Sequence, residues 1–168
     1  MIITPRLVLR LHNRQSETML NEVRWLNNPE ITKFSEQRHK RHTIDTQIEY
    51  LNALAPYDAF YQVWFGEQHI GGVTIFFDPY NLTADMGIMI GEMQGQGFGT
   101  EAWEGAMNAL FKSNTRLRKV TAVCMAANAP MMAICRRTGM TQEALVPKHF
   151  YYNSSPCDLI LFGKYNGS

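Results

Sequence analysis

The segment Gly91-Glu92-Met93-Gln94-Gly95-Gln96-Gly97-Phe98-Gly99-Thr100 places four glycines within nine residues. It follows Thr83 to Ile90, which alternates as a strand does, and runs into Phe98, Ala102, Ala106, Met107, Leu110 and Phe111, an apolar stripe at helical spacing. Glycine lets the backbone turn sharply and approach a ligand with no Cβ in the way. A helix that starts directly after such a turn carries unpaired N–H groups and the positive end of its dipole. Together these make a cradle for an anion such as a pyrophosphate. The same glycines would also serve a tight turn that binds nothing. Two familiar phosphate loops are excluded. A Walker loop needs Gly-Lys-Ser/Thr, and no lysine occurs between Lys40 and Lys112. A Rossmann loop needs G-x-G-x-x-G near the first strand of a parallel unit, whereas Gly95-x-Gly97-x-Gly99 has another spacing and follows several strands.

Upstream of the loop, Ala59–Phe65, Ile70–Phe77 and Thr83–Ile90 read as three successive strands, joined by turns at Gly66–His69 and Asp78–Asn81. Short spacing makes them an antiparallel meander. Before them come a strand at Arg6–Leu11 and a helix capped by Ser16, which carries Met19, Leu20, Val23 and Leu26 and ends at Asn27-Asn28-Pro29. A short turn spans Glu30 to Phe34, and Thr43 caps a second helix that Pro56 stops. Downstream, Val120–Met125 is a strand and Asn128–Thr138 a helix, with Gly139 where a left-handed cap belongs. Two strands follow, about Gln142–Tyr151 and Asp158–Tyr165. No repeat or linker interrupts this order. The expectation is one α/β domain over residues 1–168, with a mixed central β-sheet, its antiparallel meander flanked by helices.

A chain of 168 residues, 45% apolar and 18% charged, can bury a substantial core and is not a disordered type. Its net charge of +1 argues against a nucleic-acid binder. No apolar run suits a membrane span, the N-terminus lacks a signal-peptide pattern, and Cys124, Cys135 and Cys157 form no disulfide framework. A cytoplasmic location is expected. His39-x-x-His42 has ligand-like spacing, but no Cys or carboxylate cluster completes it, so no metal is expected. The near-zero total hides an uneven distribution. From Gly105 to Gln142 there is no acidic residue, while Lys112, Arg116, Arg118, Lys119, Arg136 and Arg137 all fall there.

Gln94-x-x-Gly97-x-Gly99 resembles the Q/R-x-x-G-x-G/A motif of the GNAT acetyltransferase superfamily, which grips the pyrophosphate of acetyl-CoA. Asn128, then Cys135 seven residues on, then Gly139-Met140, is similar to the later segment of that superfamily. Thr4-Pro5-Arg6-Leu7-Val8-Leu9-Arg10 is typical of the branch holding the ribosomal-protein N-terminal acetyltransferases. The resemblance implies the GNAT fold and acetyl-CoA as acetyl donor, with no metal. It puts the pyrophosphate on backbone amides of Gln94, Gly95, Gln96, Gly97, Phe98, Gly99 and Thr100. The pantetheine arm then runs along Ile88, Met89 and Ile90, and Asn128 contacts it. It places Cys135 near the thioester sulfur as general acid, although tyrosine is more usual there. Asp85 falls where some members carry a strand glutamate that acts as general base, with Glu92 the runner-up. The residue-level alternatives are a helix cap for Asn128, a small buried hydrophobe for Cys135 and an edge carboxylate for Asp85.

Trp25-Leu26-Asn27-Asn28-Pro29-Glu30-Ile31-Thr32-Lys33-Phe34 resembles a segment of GNAT members that act on nucleotide-linked amino sugars. Trp25, Phe34, Arg38, Arg41 and Tyr151 are the candidate acceptor residues. The aromatics would stack on a base or sugar, and the basic run 38–42 would meet a diphosphate; such runs also commonly face water. The expected partner is therefore a small-molecule amine, with no nucleic acid or membrane. Acetylation of protein N-termini and a CoA-binding sensor without chemistry are the alternatives, and a homodimer is carried by the resemblance alone.

Overall fold

A computed structural model describes residues 1–167. The strands are β1 (Ile2–Ile3), β2 (Leu7–Leu11), β3 (Ala59–Phe65), β4 (Gln68–Asp78), β5 (Thr83–Ile90), β6 (Lys119–Met125), β7 (Thr141–Tyr152) and β8 (Ser155–Tyr165). The helices are α1 (Ser16–Leu26), α2 (Pro29–Thr32), α3 (Ile44–Ala53), α4 (Phe98–Ser113) and α5 (Ala129–Arg137). One mixed sheet runs β1-β2-β3-β4-β5-β6-β8-β7. The meander β2 to β5 is antiparallel, α4 makes the crossover to the parallel strand β6, and the β7–β8 hairpin docks through β8. Among the described residues no helix is long and apolar enough to cross a membrane.

Alternation along the strands splits the core in two. Val63, Val73, Ile75, Ala84 and Met86 pack with Ala102, Trp103, Ala106 and Met107 of α4 on one face. Phe60, of opposite parity to Val63, joins Met19 of α1 and Leu51 of α3 on the other. Trp103 and Met107 have no exposed surface, and full burial of such side chains is worth roughly 1.5–3 kcal/mol each.

The feature that positions the site is a break in one ladder. β5 and β6 pair only over Thr83–Asp85 with Lys119–Thr121. β5 stays paired with β4 as far as Ile90 opposite Gly71, and β6 with β8 as far as Met125 opposite Leu159. Beyond Asp85 the two parallel strands part, leaving a wedge with two unpaired edges.

Local differences from the sequence expectation have local causes. Residues 29–39 form α2 and a 3-10 turn, Glu36–His39, where a short turn was expected. Asn28 accepts from the Glu30 N–H at 3.0 Å and Pro29 opens the helix, so Asn-Pro here ends one helix and starts another. Ser16 lies inside α1 and gives no cap; Gln15 holds the cap position without a side-chain bond. Thr43 caps α3 as expected, and Thr46 completes a capping box with it.

Candidate active site

The loop from Gly91 to Gly97 joins the wedge to α4. Met93, Gly95 and Gly97 take φ of +55°, +81° and +81°, the left-handed region that glycine enters without strain. Gly97 is the N-cap of α4 and has no side chain to cap with. Glu101 N–H donates to Gly97 O at 3.1 Å, while the N–H groups of Gly99 and Thr100 find no acceptor in the chain among the described residues. These groups point an unspent dipole end at whatever sits in the loop, as an anion cradle requires. The Phe98 ring does not face the cradle. It is buried against Phe65 at 5.0 Å between centroids and beneath the Arg6 guanidinium at 4.5 Å, so only its backbone can contribute. The Gln94 side chain folds back and donates to Ile90 O at 2.9 Å, closing the end of β5. An open surface depression of about 430 Å³ adjoins the cradle, lined by Pro5, Arg6, Gly97, Thr100, Arg137 and the carboxylates Glu101 and Glu104. The unpaired amides of the cradle are the groups that fit a diphosphate cofactor.

At its root the loop is clamped to α1. A Cβ on Gly91 would stand 2.0 Å from Trp25 Cδ2, so only glycine fits against that ring. Trp25 Nε1 donates to Glu92 Oε1 at 2.9 Å, and Arg24 Nη2 donates to the same oxygen at 2.6 Å. Two expectations change here. Trp25 is 1% exposed and cannot stack on an acceptor; it holds the loop instead. Glu92 already accepts from an indole and a guanidinium, which is a structural clamp rather than a carboxylate waiting for a proton.

Asp85 sits at the vertex of the wedge, the last β5 residue paired with β6. Its Oδ2 accepts from Thr121 Oγ1 at 2.9 Å. Burial pushes the carboxyl above its ordinary value, and the Thr121 bond offsets only part of that. On the same face Phe76 lies directly across from Asp85 and Thr74 across from Gly87. A Cβ on Gly87 would meet nothing within 4 Å, so the floor beside Asp85 is open. Tyr50 of α3 reaches this face and donates to Thr74 Oγ1 at 3.4 Å. Asp85 is thus a half-buried carboxylate with one side-chain donor and open space beside it.

Asn128 caps α5 by accepting from Met131 N–H at 3.1 Å, which leaves its Nδ2 for another partner. Cys135 is 0% exposed within the main core, and burial pushes its thiol up to about 12. An ordinary thiol lies at about 8.5, so Cys135 gives up its proton less readily than an ordinary thiol does. That placement takes away the support for Cys135 as general acid and leaves it as a small core residue.

Of the acceptor candidates, the fold brings Phe34, Arg38 and Tyr151 together. Phe34 packs on Tyr152 at 5.3 Å between centroids, and Arg38 Nη2 donates to Tyr151 O at 3.0 Å. Arg38 Nη1 also donates to Ser35 O at 2.8 Å and pairs with Glu36 at 3.0 Å, so its charge is largely engaged. The contact ties the α2 segment to the β7–β8 hairpin across 113 residues of sequence. Arg41 and the Tyr151 ring are exposed. Sequence reasoning missed Arg6, Glu101 and Thr121 as members of the site, because their partners are remote in the chain.

A family model described as "Acetyltransferase (GNAT) domain" matches residues 6–141. No curated protein sequence gives a significant match. Many solved structures share the fold at low identity. A GNAT-family acetyltransferase from Bacillus anthracis superposes with a TM-score of 0.82 at 16% identity over 99% of both chains. A spermidine N-acetyltransferase from Vibrio cholerae, in complex with CoA and spermine, gives 0.84 at 19% identity over 96% of both. RimL, a ribosomal L7/L12 alpha-N-protein acetyltransferase in complex with CoA, gives 0.83 at 17% identity over 97% of this chain and 96% of its own.

Proposed function

Since the chain belongs to the GNAT acetyltransferase family, we propose that it transfers the acetyl group of acetyl-CoA directly to the primary amine of a small molecule that carries an anionic group, such as a nucleotide-linked amino sugar. The observation that carries this reading is the wedge between β5 and β6, closed at Asp85 and open at the glycine cradle. An extended thioester arm laid along the free edge of β5 would have its phosphates at the N-terminus of α4 and would point its acyl group down the wedge toward Asp85.

Acetyl-CoA supplies an activated acetyl group as a thioester. The chain supplies the rest. Backbone N–H groups of residues 94–100 would hold the diphosphate, and Asn128 Nδ2 would donate to the arm. Asp85, raised by burial, accepts the proton of the incoming ammonium directly or through one water, since aspartate is one methylene shorter than glutamate. A backbone N–H on the unpaired edge around Met89 and Ile90 donates to the acyl oxygen as it gains charge. The amine nitrogen bonds to the acyl carbon, the carbon–sulfur bond breaks, and the thiol proton comes from solvent.

The anionic acceptor is supported by the exposed Lys40 and Arg41 beside the segment tied to the hairpin, whose cations would repel a polyamine. Thiol release from acetyl-CoA with a panel of amines tests the reading. Turnover on a UDP- or dTDP-amino sugar is expected. Turnover on peptide N-termini alone would move the assignment to protein acetylation, and turnover on spermidine alone would refute the anionic acceptor.

A further inference from the structure

The N-terminal arm reaches the cradle through one side chain. Arg6 Nη1 donates to Gln96 O at 3.1 Å, Arg6 Nε donates to Glu101 Oε2 at 2.6 Å, and Arg6 N–H donates to Glu101 Oε1 at 2.7 Å. Thr4 Oγ1 donates to the same Oε1 at 2.6 Å. The guanidinium carbon lies 4.5 Å from the Phe98 ring centroid, and a Cβ on Gly97 would stand 3.5 Å from Arg6 Nη2. Arg6 thus contacts Gln96 of the loop and Phe98 and Glu101 in the first turn of α4.

Two features of the loop oppose an anion unless they are countered. A cradle attracts phosphate with N–H groups, so a carbonyl turned inward would repel it. Gln96 O is a carbonyl of this loop, and the hydrogen bond from Arg6 Nη1 occupies it. Glu101 puts a carboxylate in the first turn of α4, the same turn as the free amides, with only 14% of its side chain exposed. Burial pushes the Glu101 carboxyl up, but the bonds from Thr4 and Arg6 outweigh that and hold it below its ordinary value, so it is ionised at neutral pH. An ionised carboxylate there cancels part of the helix dipole, and the fork of Arg6 neutralises it.

We infer that Arg6 is a positioning residue for the phosphates of the acetyl donor, setting the loop carbonyl and cancelling Glu101 from outside the glycine motif. This rests on the reading of the cradle as the CoA site. The full chain is titrated calorimetrically with CoA, and acetyl-CoA kinetics are run with a working acceptor, for wild type, Arg6→Ala, Arg6→Lys and Arg6→Ala/Glu101→Gln; circular dichroism checks folding. Arg6→Ala should weaken CoA binding about 30-fold, the scale of a lost charge-assisted contact, and raise KM for acetyl-CoA in parallel, with kcat within about threefold. Arg6→Lys keeps the charge without the fork and should lose about fivefold. The double variant should regain roughly half of the logarithmic loss, because removing Glu101's charge removes what Arg6 cancelled. A purely structural role would leave the double variant no better than Arg6→Ala, and that result overturns the inference. Wild-type affinity in Arg6→Ala overturns it too. No CoA binding by wild type would overturn the reading of the site itself, and the inference with it.

Discussion

Replacing Asp85 with Asn should separate activity from stability in opposite directions. Asparagine keeps the shape and the acceptor for Thr121 Oγ1 but cannot take a proton. A positioned general base contributes about 10²–10⁴ in rate, and Asp85 is only half-buried, so water can replace part of its role. The lower end applies: kcat falls about 100-fold, close to 2.7 kcal/mol of barrier. In wild type the rate should fall as pH drops through the raised Asp85 value, and in the variant that limb should vanish. Two acceptors of different basicity distinguish it, since a limb owned by the acceptor moves with the acceptor. Stability runs the other way. Native Asp85 binds its proton more tightly than the unfolded chain does, so this group's contribution falls as pH rises from the ordinary aspartate value through the raised one. Asn removes that loss, and the variant should melt higher than wild type at neutral pH, with the gap closing in acid. A variant with kcat within threefold and an unchanged acidic limb would eliminate Asp85 as the base.

Cys135→Ala should leave kcat within about threefold and lower stability by about 1–2 kcal/mol in urea, the cost of a small core deletion; a 100-fold loss of kcat would restore the sulfur as an acid. Gly97→Ala forces a side chain into φ +81° at a cost of roughly 1–2 kcal/mol, with its Cβ in ordinary contact with Arg6. Calorimetry should show CoA binding about tenfold weaker, and Gly97→Asn should be milder because Asn enters that region more readily. Phe34→Ala removes the ring pair with Tyr152 and should raise KM for the acceptor roughly 3–10-fold without moving KM for acetyl-CoA. Equal effects on both substrates would take the tie between α2 and the hairpin out of the acceptor site.

Local chemistry was readable wherever it acts over a few residues. The meander, the Thr43 cap, the Asn128 cap and the left-handed Gly139 all follow from neighbours in sequence, and each stands where expected. The glycine loop before α4 was readable for the same reason. What depends on distant partners was not. Nothing near Val123 announces that β8, rather than β7, pairs with β6, and nothing in Asp85-Met86-Gly87 announces that its ladder with β6 stops there. Trp25 looked like a stacking residue because its burial is decided by Gly91, 66 positions away, which offers a surface with no side chain. Arg6 looked like the edge of a strand because Gln96 and Glu101 reach it only in the fold. Cys135 was ambiguous between reactive and buried in sequence, and its burial in the core depends on partners remote in the chain.

The most direct test is to incubate the full chain with acetyl-CoA and a UDP-linked amino sugar, quantify free thiol, and identify the sugar product by mass. Thiol and N-acetylated sugar in equal amounts, both falling about 100-fold with Asp85→Asn, is the expected result. Tight CoA binding with neither thiol nor acetylated product on this or any other amine would contradict acetyl transfer at the wedge and leave a CoA-binding protein without chemistry.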